Sequence, residues 1–339
     1  MTIKQHIKRW FIQRSLNKRK LSKPFLEKEA EHYSIPKDAD EYQINSYYFS
    51  CHDMKGNSLL LRYAERGNKD TEVWFAYKDE KGNAYVNEKQ LYKNEKTPVS
   101  VECKKTAKKW YFGYDGEITD QKTKKKVKAK FEGEFTATDK IFDFGYHLDS
   151  YVLAKAIAKE KWTKEFFKTL DENTQIHYEQ PGSVEGVLVL DGKKTKLSLP
   201  AMRDHSFGKR DWNYMNNHFW LMALMENGDN LNANRVSYPA VRELQTGYFV
   251  EDEKTICVSE AEIVGEISPN TAPDSFTYRA KLTDGRELDV KCMKELEFVF
   301  PFYDGEYVIY EGIGTFEFDG KRGRGVLEFG WNGDSSRHL

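Results

Sequence analysis

From Tyr42 onward, apolar and polar positions alternate with a period of two, the pattern of strands with one buried face. Residues 43–50 and 58–63 flank Met54-Lys55-Gly56-Asn57, and 71–77 meets 84–86 through Lys81-Gly82-Asn83. Each pair reads as strand, tight turn, strand. Further strands are predicted at 99–104, 108–114 and 126–138, then at 176–190 and 195–205 around Asp191-Gly192. The second half repeats the mode at 217–226, 230–238, 244–251, 256–265, 275–282, 286–299, 304–318 and 324–331. Asn227-Gly228, Asp284-Gly285, Asp304-Gly305 and Asp319-Gly320 join them. Asn-Gly or Asp-Gly between alternating runs is the strongest short-range hairpin signal.

Helical periodicity appears in two places only. Residues 1–26 carry eight Lys or Arg and no acid, with Ile3, Ile7, Trp10, Phe11 and Ile12 at helical spacing. That is a basic amphipathic helix. Residues 151–158 and 163–170 read as short amphipathic helices, an insertion near 149–170. The fold class is therefore all-β, mainly antiparallel, in two blocks of about eight strands each. Two up-and-down barrels suit it, because a closed sheet has no free edge. The expected division is a helical segment over 1–40, one β domain over 41–205 and a second over 206–333.

Composition narrows the classes of function. Lys and Arg total 53 against 54 Asp and Glu, so no global field favours nucleic acid, and none is expected as a partner. Six lysines crowd residues 122–130; alternation puts Lys122, Lys124, Lys126, Lys128 and Lys130 on one face. A solvated strand edge explains them better than a nucleic-acid or phosphoinositide patch. Cys51, Cys103, Cys257 and Cys292 are too widely spaced for a metal site or a disulfide framework, so no metal is expected. There is no secretory signal, no bilayer-spanning run and no Asn-x-Ser/Thr acceptor, which together describe a cytoplasmic chain. The basic helix over residues 1–24 adds a peripheral membrane reading, with Ile3, Ile7, Trp10 and Phe11 in contact. A helix packed across a barrel and an organelle presequence are the alternatives.

The densest chemistry lies in Arg203-Asp204-His205-Ser206-Phe207-Gly208-Lys209-Arg210-Asp211-Trp212, where Arg-Asp occurs twice, seven residues apart. Such a cluster is half-buried only if its charges pair, since unpaired buried charge is costly. In an extended segment Arg203 and His205 share one face, and Asp204 and Ser206 the other.

With this segment in view, the chain resembles the two-domain lipocalin-like family of hydroxyneurosporene synthase and AttH. It is most similar to a branch with an Arg-Asp-His-Ser-(Trp/Phe)-Gly-x-Arg-Asp-Trp signature, complete here with Phe207 at the aromatic position. His177-Tyr178-Glu179-Gln180-Pro181-Gly182 and Gly186 also look like that branch, whose domains precede phosphoenolpyruvate-synthase-like modules in longer chains. The resemblance runs from about residue 45 to 331 and implies two calycin-type barrels with a ligand cavity in or between them. Members of this broad group hydrate, cyclise or isomerise isoprenoid and polyketide-like substrates, generally without redox cofactors; others bind lipids. It thus implies a hydrophobic small-molecule partner and no cofactor.

Three readings follow. The first is binding of a lipid-, isoprenoid- or polyketide-like molecule. The second is a cofactor-independent hydratase, cyclase or isomerase, with Asp204 or Asp211 as a neutral acid and His205 as relay. Phe207, Trp212 and Trp220 would offer cation-stabilising faces, and Tyr178 and Glu179 are further candidates. The third is a membrane-recruited interaction module. Against catalysis stands an interdomain bolt, in which Arg203 and Arg210 take carboxylates bidentately, Ser206 bonds backbone, His205 is a satisfied histidine and Gly208 allows a bend. Ser206 lacks a Gly-x-Ser-x-Gly elbow, and His52, His147, His177 and His218 show no ligand spacing. Oligomeric state is not legible.

Overall fold

The computed structural model describes residues 1–172, 175–302 and 305–338, so Asp304 of the Asp304-Gly305 turn lies outside it. The chain divides into two compact units, each built on a closed antiparallel barrel. One unit comprises Phe25–Phe144 and Gln175–Arg210; the other comprises Met1–Pro24, Gly145–Thr174 and the chain from Asp211 onward.

The first unit carries β1 (Gln43–His52), β2 (Ser58–Arg66), β3 (Asp70–Lys78), β4 (Ala84–Val86), β5 (Leu91–Lys93) and β6 (Val99–Lys105). It continues with β7 (Lys109–Asp120), β8 (Lys126–Ala137), β9 (Phe142–Asp143), β10 (Gln175–Leu190) and β11 (Lys193–Lys209). Since β11 pairs with both β10 and β1, the path β11-β1-β2-β3-β4-β7-β8-β10 returns on itself as a ring of eight strands. Strands β5, β6 and β9 pair with β3, β7 and β10 outside that ring. The 205/206 boundary falls inside β11, which stays paired with β1 as far as Lys209.

The second barrel is the consecutive ring β12 (Asn217–Met225), β13 (Asn230–Ser237), β14 (Leu244–Glu251), β15 (Lys254–Val264), β16 (Ser275–Leu282), β17 (Glu287–Phe302), β18 (Tyr307–Phe318) and β19 (Lys321–Asn332). Its unit also holds α1 (Ile3–Ser22), α3 (Ser150–Lys159) and α4 (Lys164–Glu172). A short helix absent from the sequence reading, α2 (Glu27–Glu31), belongs to the first unit. None of the helices described is long and apolar enough to cross a membrane.

The turn residues act as expected. Gly56, Gly82, Gly192, Gly228, Gly285 and Gly320 all have φ between 71° and 106°, a region open to glycine. The lysine-rich stretch needs correction: Lys122, Lys124 and Lys125 lie in the β7–β8 turn, and only Lys126, Lys128 and Lys130 share a strand face. These side chains are exposed, with Lys126 and Lys130 each 3.3 Å from a glutamate, Glu88 and Glu132.

Alternation sends Tyr47, Phe49 and Cys51 of β1 inward with Leu197, Leu199 and Ala201 of β11. Phe49 stacks on Phe112 at 4.0 Å and Phe75 on Tyr114 at 4.2 Å. Phe131 and Phe135 complete a fully buried aromatic layer. In the second barrel Leu221, Ala233, Phe249, Tyr278, Phe316 and Phe329 fill the same role. Side chains from both strand sets therefore line and pack each barrel interior. Burial of this much aromatic surface is itself the main stabiliser of each barrel.

Candidate functional site

The β10–β11 hairpin divides the signature between two faces. Its register sets Tyr178 opposite His205, Glu179 opposite Asp204 and His177 opposite Ser206. Arg203 and His205 continue the inward row of Leu199 and Ala201; Asp204 and Ser206 point the other way.

On the inner face, α2 closes one end of the first barrel. Phe25 and Tyr33 pack on the small cluster of Ala30, Ile141, Tyr178 and Phe207. The neighbouring Glu31 then reaches Arg203, whose Nη2 lies 2.7 Å from Glu31 Oε1 in an ion pair, with both side chains wholly buried. Tyr178 Oη donates to the same oxygen at 2.7 Å. Trp110 Nε1 and the Ala107 amide donate to Oε2 at 2.8 and 3.0 Å. Burial alone would raise the Glu31 pKa. Arg203 and the three other donors outweigh it and hold the carboxyl below its usual value.

Arg203 Nη2 also donates to Gln180 Oε1 at 2.7 Å, and Gln180 ties down the Ala107 and Asp139 carbonyls. Its remaining N–H groups find no acceptor among the described residues. The guanidinium instead lies over the rings of Trp110, Tyr178 and Phe135 at 4.8, 5.4 and 5.7 Å, a cation–π cage. Arg203 thus takes Glu31, not an aspartate of the signature, as its carboxylate.

His205 is fully buried in this network. Its Nδ1 lies 2.6 Å from Tyr178 Oη and its Nε2 2.7 Å from Asn45 Oδ1, with the ring stacked on Tyr47 at 4.2 Å. Burial, then Arg203 and His177, push its pKa well below the ordinary histidine value. With both nitrogens in contact with Tyr178 and Asn45 and no exposed surface, the His205 imidazole is not placed to relay a proton to a ligand. Phe207 is likewise covered, stacked on Tyr33 at 4.2 Å.

The outer face differs. His177 Nε2 lies 2.6 Å from Asp204 Oδ2 and 3.5 Å from Glu179 Oε1. Its ring stacks on Phe144 at 4.7 Å, yet the side chain remains 28% exposed. Ser206 Oγ donates to Asp204 Oδ1 at 3.4 Å, and Arg210 Nη2 donates to Ser206 Oγ at 3.0 Å. No described residue bonds His177 Nδ1, so Asp204 orients the ring and leaves one nitrogen to a visitor. Burial pulls the His177 pKa down, but Asp204 and Glu179 more than offset this and raise it. The imidazolium is therefore favoured nearer neutral pH than in a free histidine.

His177, Glu179 and Asp204 also form a group whose donor atoms lie within 4.8 Å of one another. Zinc–ligand bonds of 2.0–2.2 Å would hold neighbouring donors roughly 3.3 Å apart. At 2.6 Å, His177 and Asp204 are hydrogen-bonded to each other.

Asp211 and Trp212 of the signature lie in the second unit. Asp211 Oδ1 accepts from the Asn213 amide at 3.0 Å, capping a single turn over Trp212–Tyr214. Trp212 is buried and stacks on Phe302 at 4.7 Å. Trp220 is buried on β12, on the strand face opposite inward-pointing Phe219 and Leu221. On that outer face His218 Nδ1 lies 2.5 Å from Tyr307 Oη, and its Nε2 pairs with Glu328. Both of its nitrogens are taken, unlike those of His177.

A surface groove of about 640 Å³, lined by Tyr111, Glu132, Glu185 and Lys196, lies elsewhere on the first barrel. At about 3.4 Å per residue along β10, Glu185 is some 27 Å from His177. Its open, charged walls carry none of the signature.

Two residues central to this geometry carry little signal in the sequence: His177 has no ligand spacing to the other histidines, although it opens the His-Tyr-Glu-Gln-Pro-Gly string, and Glu31 stands in a charged run.

Residues 27–333 match the model of DUF7064, described as a domain of unknown function. The chain belongs to that family. No curated protein sequence matches this DUF7064 chain significantly. Among solved structures it is similar to an AttH-type protein of Nitrosomonas europaea, with a TM-score of 0.56 at 14% identity, covering 91% of this chain and 98% of that one. It is also similar to kievitone hydratase from Nectria haematococca, with a TM-score of 0.54 at 12% identity, covering 89% and 94%. At such identities the likeness is one of fold: this DUF7064 protein shares the paired lipocalin-like barrels of the AttH type.

Proposed function

We propose that this protein transforms a small, largely apolar molecule by proton transfer at His177, as a cofactor-independent hydratase or isomerase. The observation that carries the reading is the partly exposed imidazole, with Nε2 held by Asp204 at 2.6 Å and Nδ1 unclaimed by the described residues. Asp204 fixes the ring and stabilises the imidazolium, the task a carboxylate performs for a catalytic histidine. Phe144 supplies an aromatic face beside the ring, suited to a carbon skeleton or a developing cation.

The chemistry balances without a redox change. Nδ1–H gives its proton to an sp² carbon of the ligand, and the π electrons form the new C–H bond. In hydration, water adds to the cation and the proton it sheds returns to Nδ1. In isomerisation, an adjacent carbon returns that proton instead. A fold neighbour that is named a hydratase is compatible with this reading.

The test begins with native mass spectrometry and organic extraction of the purified protein. The extracted molecules are then returned to it in deuterium oxide. Wild type is expected to place deuterium on carbon, or to add the mass of water, while His177→Gln and Asp204→Asn bind the molecule and leave it unchanged. Binding without exchange in wild type would mark a carrier and overturn the enzyme reading. Equal exchange in all three proteins would overturn the assignment of the site.

A further inference from the structure

Helix α1 has two apolar faces, and the fold uses one. Thr2 and Gln5 start it with a capping box: Thr2 Oγ1 accepts from the Gln5 amide, and Gln5 Oε1 from the Thr2 amide. At 100° per residue, the partly covered positions Gln5, Lys8, Arg9, Ile12, Gln13, Leu16 and Lys20 form one stripe. That stripe meets α3 and its surroundings. Ile12 packs on the cluster of Ala156, Ile157, Phe166 and Val241, and Arg9 lies over Tyr151 at 4.8 Å. Lys8 Nζ donates to the Glu160 carbonyl at 2.6 Å, and Lys20 Nζ to that of Leu148.

The opposite side of the same helix carries Ile3, Ile7, Trp10 and Phe11, which are 82, 54, 51 and 58% exposed. Packing of α1 within its unit therefore accounts for the first stripe and leaves these four side chains in water. Four large apolar groups side by side are not the scattered singles of an ordinary surface. Lys4, Arg14 and Lys18 interleave with them, the Arg14 guanidinium lying 5.6 Å from the Trp10 ring. Residues 1–26 contain no acid to oppose a negative partner.

We infer that this face of α1 docks the protein on an anionic lipid bilayer, with the helix axis parallel to the surface. Trp10, Phe11, Ile7 and Ile3 enter the boundary between headgroups and acyl chains, while Lys4, Arg14 and Lys18 meet the lipid phosphates. A helix of 20 residues is about 30 Å long, so its whole exposed stripe engages the surface at once. A second copy of the chain fits less well, because pairing two such helices would set one acid-free basic stripe against another. The inference is independent of any role for His177.

The experiment is co-sedimentation of the full chain with phosphatidylcholine vesicles, with and without phosphatidylserine. Binding is expected to the phosphatidylserine vesicles, falling steeply as salt is raised. Trp10→Ser with Phe11→Ser should weaken it by roughly tenfold or more, since both lose large buried areas. Arg14→Glu with Lys18→Glu should abolish it. Neither pair touches the α3 side, so thermal midpoints should stay at the wild-type value and show that the fold is intact. No binding to either vesicle, equal binding to both, or binding that survives both double variants would overturn the inference. So would a dimer in light scattering that Trp10→Ser dissolves.

Discussion

Glu31→Ala is expected to destabilise the protein by about 3–5 kcal/mol, because it strands a buried guanidinium without its carboxylate. Arg203 and Glu31 are both fully buried, so solvent offers no substitute partner. The loss extends beyond one ion pair. Tyr178 Oη, Trp110 Nε1 and the Ala107 amide would all lose their acceptor, and α2 its anchor at the barrel end. In thermal denaturation the midpoint should fall by on the order of 10 °C. Replacing both partners, Glu31→Leu with Arg203→Met, should recover much of this, since a well-packed apolar pair often matches a buried ion pair. If Glu31→Ala melts like wild type, α2 is not latched to the barrel in this way.

The same pair fixes a sign for pH. The folded-state pKa of Glu31 lies below its unfolded value, so its contribution is fully present above an unfolded pKa of about 4.3. It is lost as pH falls through the folded value. The gap between wild type and Glu31→Ala should therefore narrow in acid. His205, also depressed, works in the same direction from about pH 6.5 downward, where the unfolded chain begins to bind a proton that the folded state refuses.

His177→Gln is expected to lower turnover by roughly 10²–10⁴-fold, the usual contribution of a positioned acid or base, with little change in ligand affinity. Where protonation of the ligand limits the rate, the working form is the imidazolium. Turnover should then fall as pH rises through the His177 pKa, which lies above about 6.5. Asp204→Asn removes the main charge holding that pKa up, so the alkaline limb should move to lower pH as the maximum rate drops. A limb that stays in place in Asp204→Asn would break the link between the two residues. Here too the stability sign is opposite to that of His205: a raised pKa stabilises the fold below about pH 6.5 and is lost as pH rises.

Much of this architecture was legible along the chain. Alternation located all the ring strands, and the Gly-containing turns gave the hairpins, because a strand with one buried face cannot hide its period. The parity argument that puts Arg203 with His205 and Asp204 with Ser206 also carried through, since two-residue periodicity survives barrel closure. Long-range pairing was the part that stayed hidden. Asp204 meets His177 only because β10 and β11 pair in one register, 27 residues apart, and a slip of one residue would exchange inside for outside. Glu31 was harder still. Glu27-Lys28-Glu29-Ala30-Glu31 reads as a solvated charge run, α2 has only five residues, and its N-cap Leu26 makes no side-chain capping bond. Nothing local distinguishes the one glutamate of that run whose side chain is buried.

The two faces of this one hairpin are expected to have separate tasks, with Arg203 and His205 holding the fold and His177 and Asp204 exchanging protons. Imidazole ¹⁵N NMR of the uniformly labelled protein across pH 5–8 tests it most directly, with His177→Gln and His205→Gln assigning the two signals. His177 is expected to titrate with a pKa above about 6.5, while His205 stays neutral and does not titrate in this range. A His205 that titrates near 6.5, or a His177 that remains neutral throughout, would contradict it.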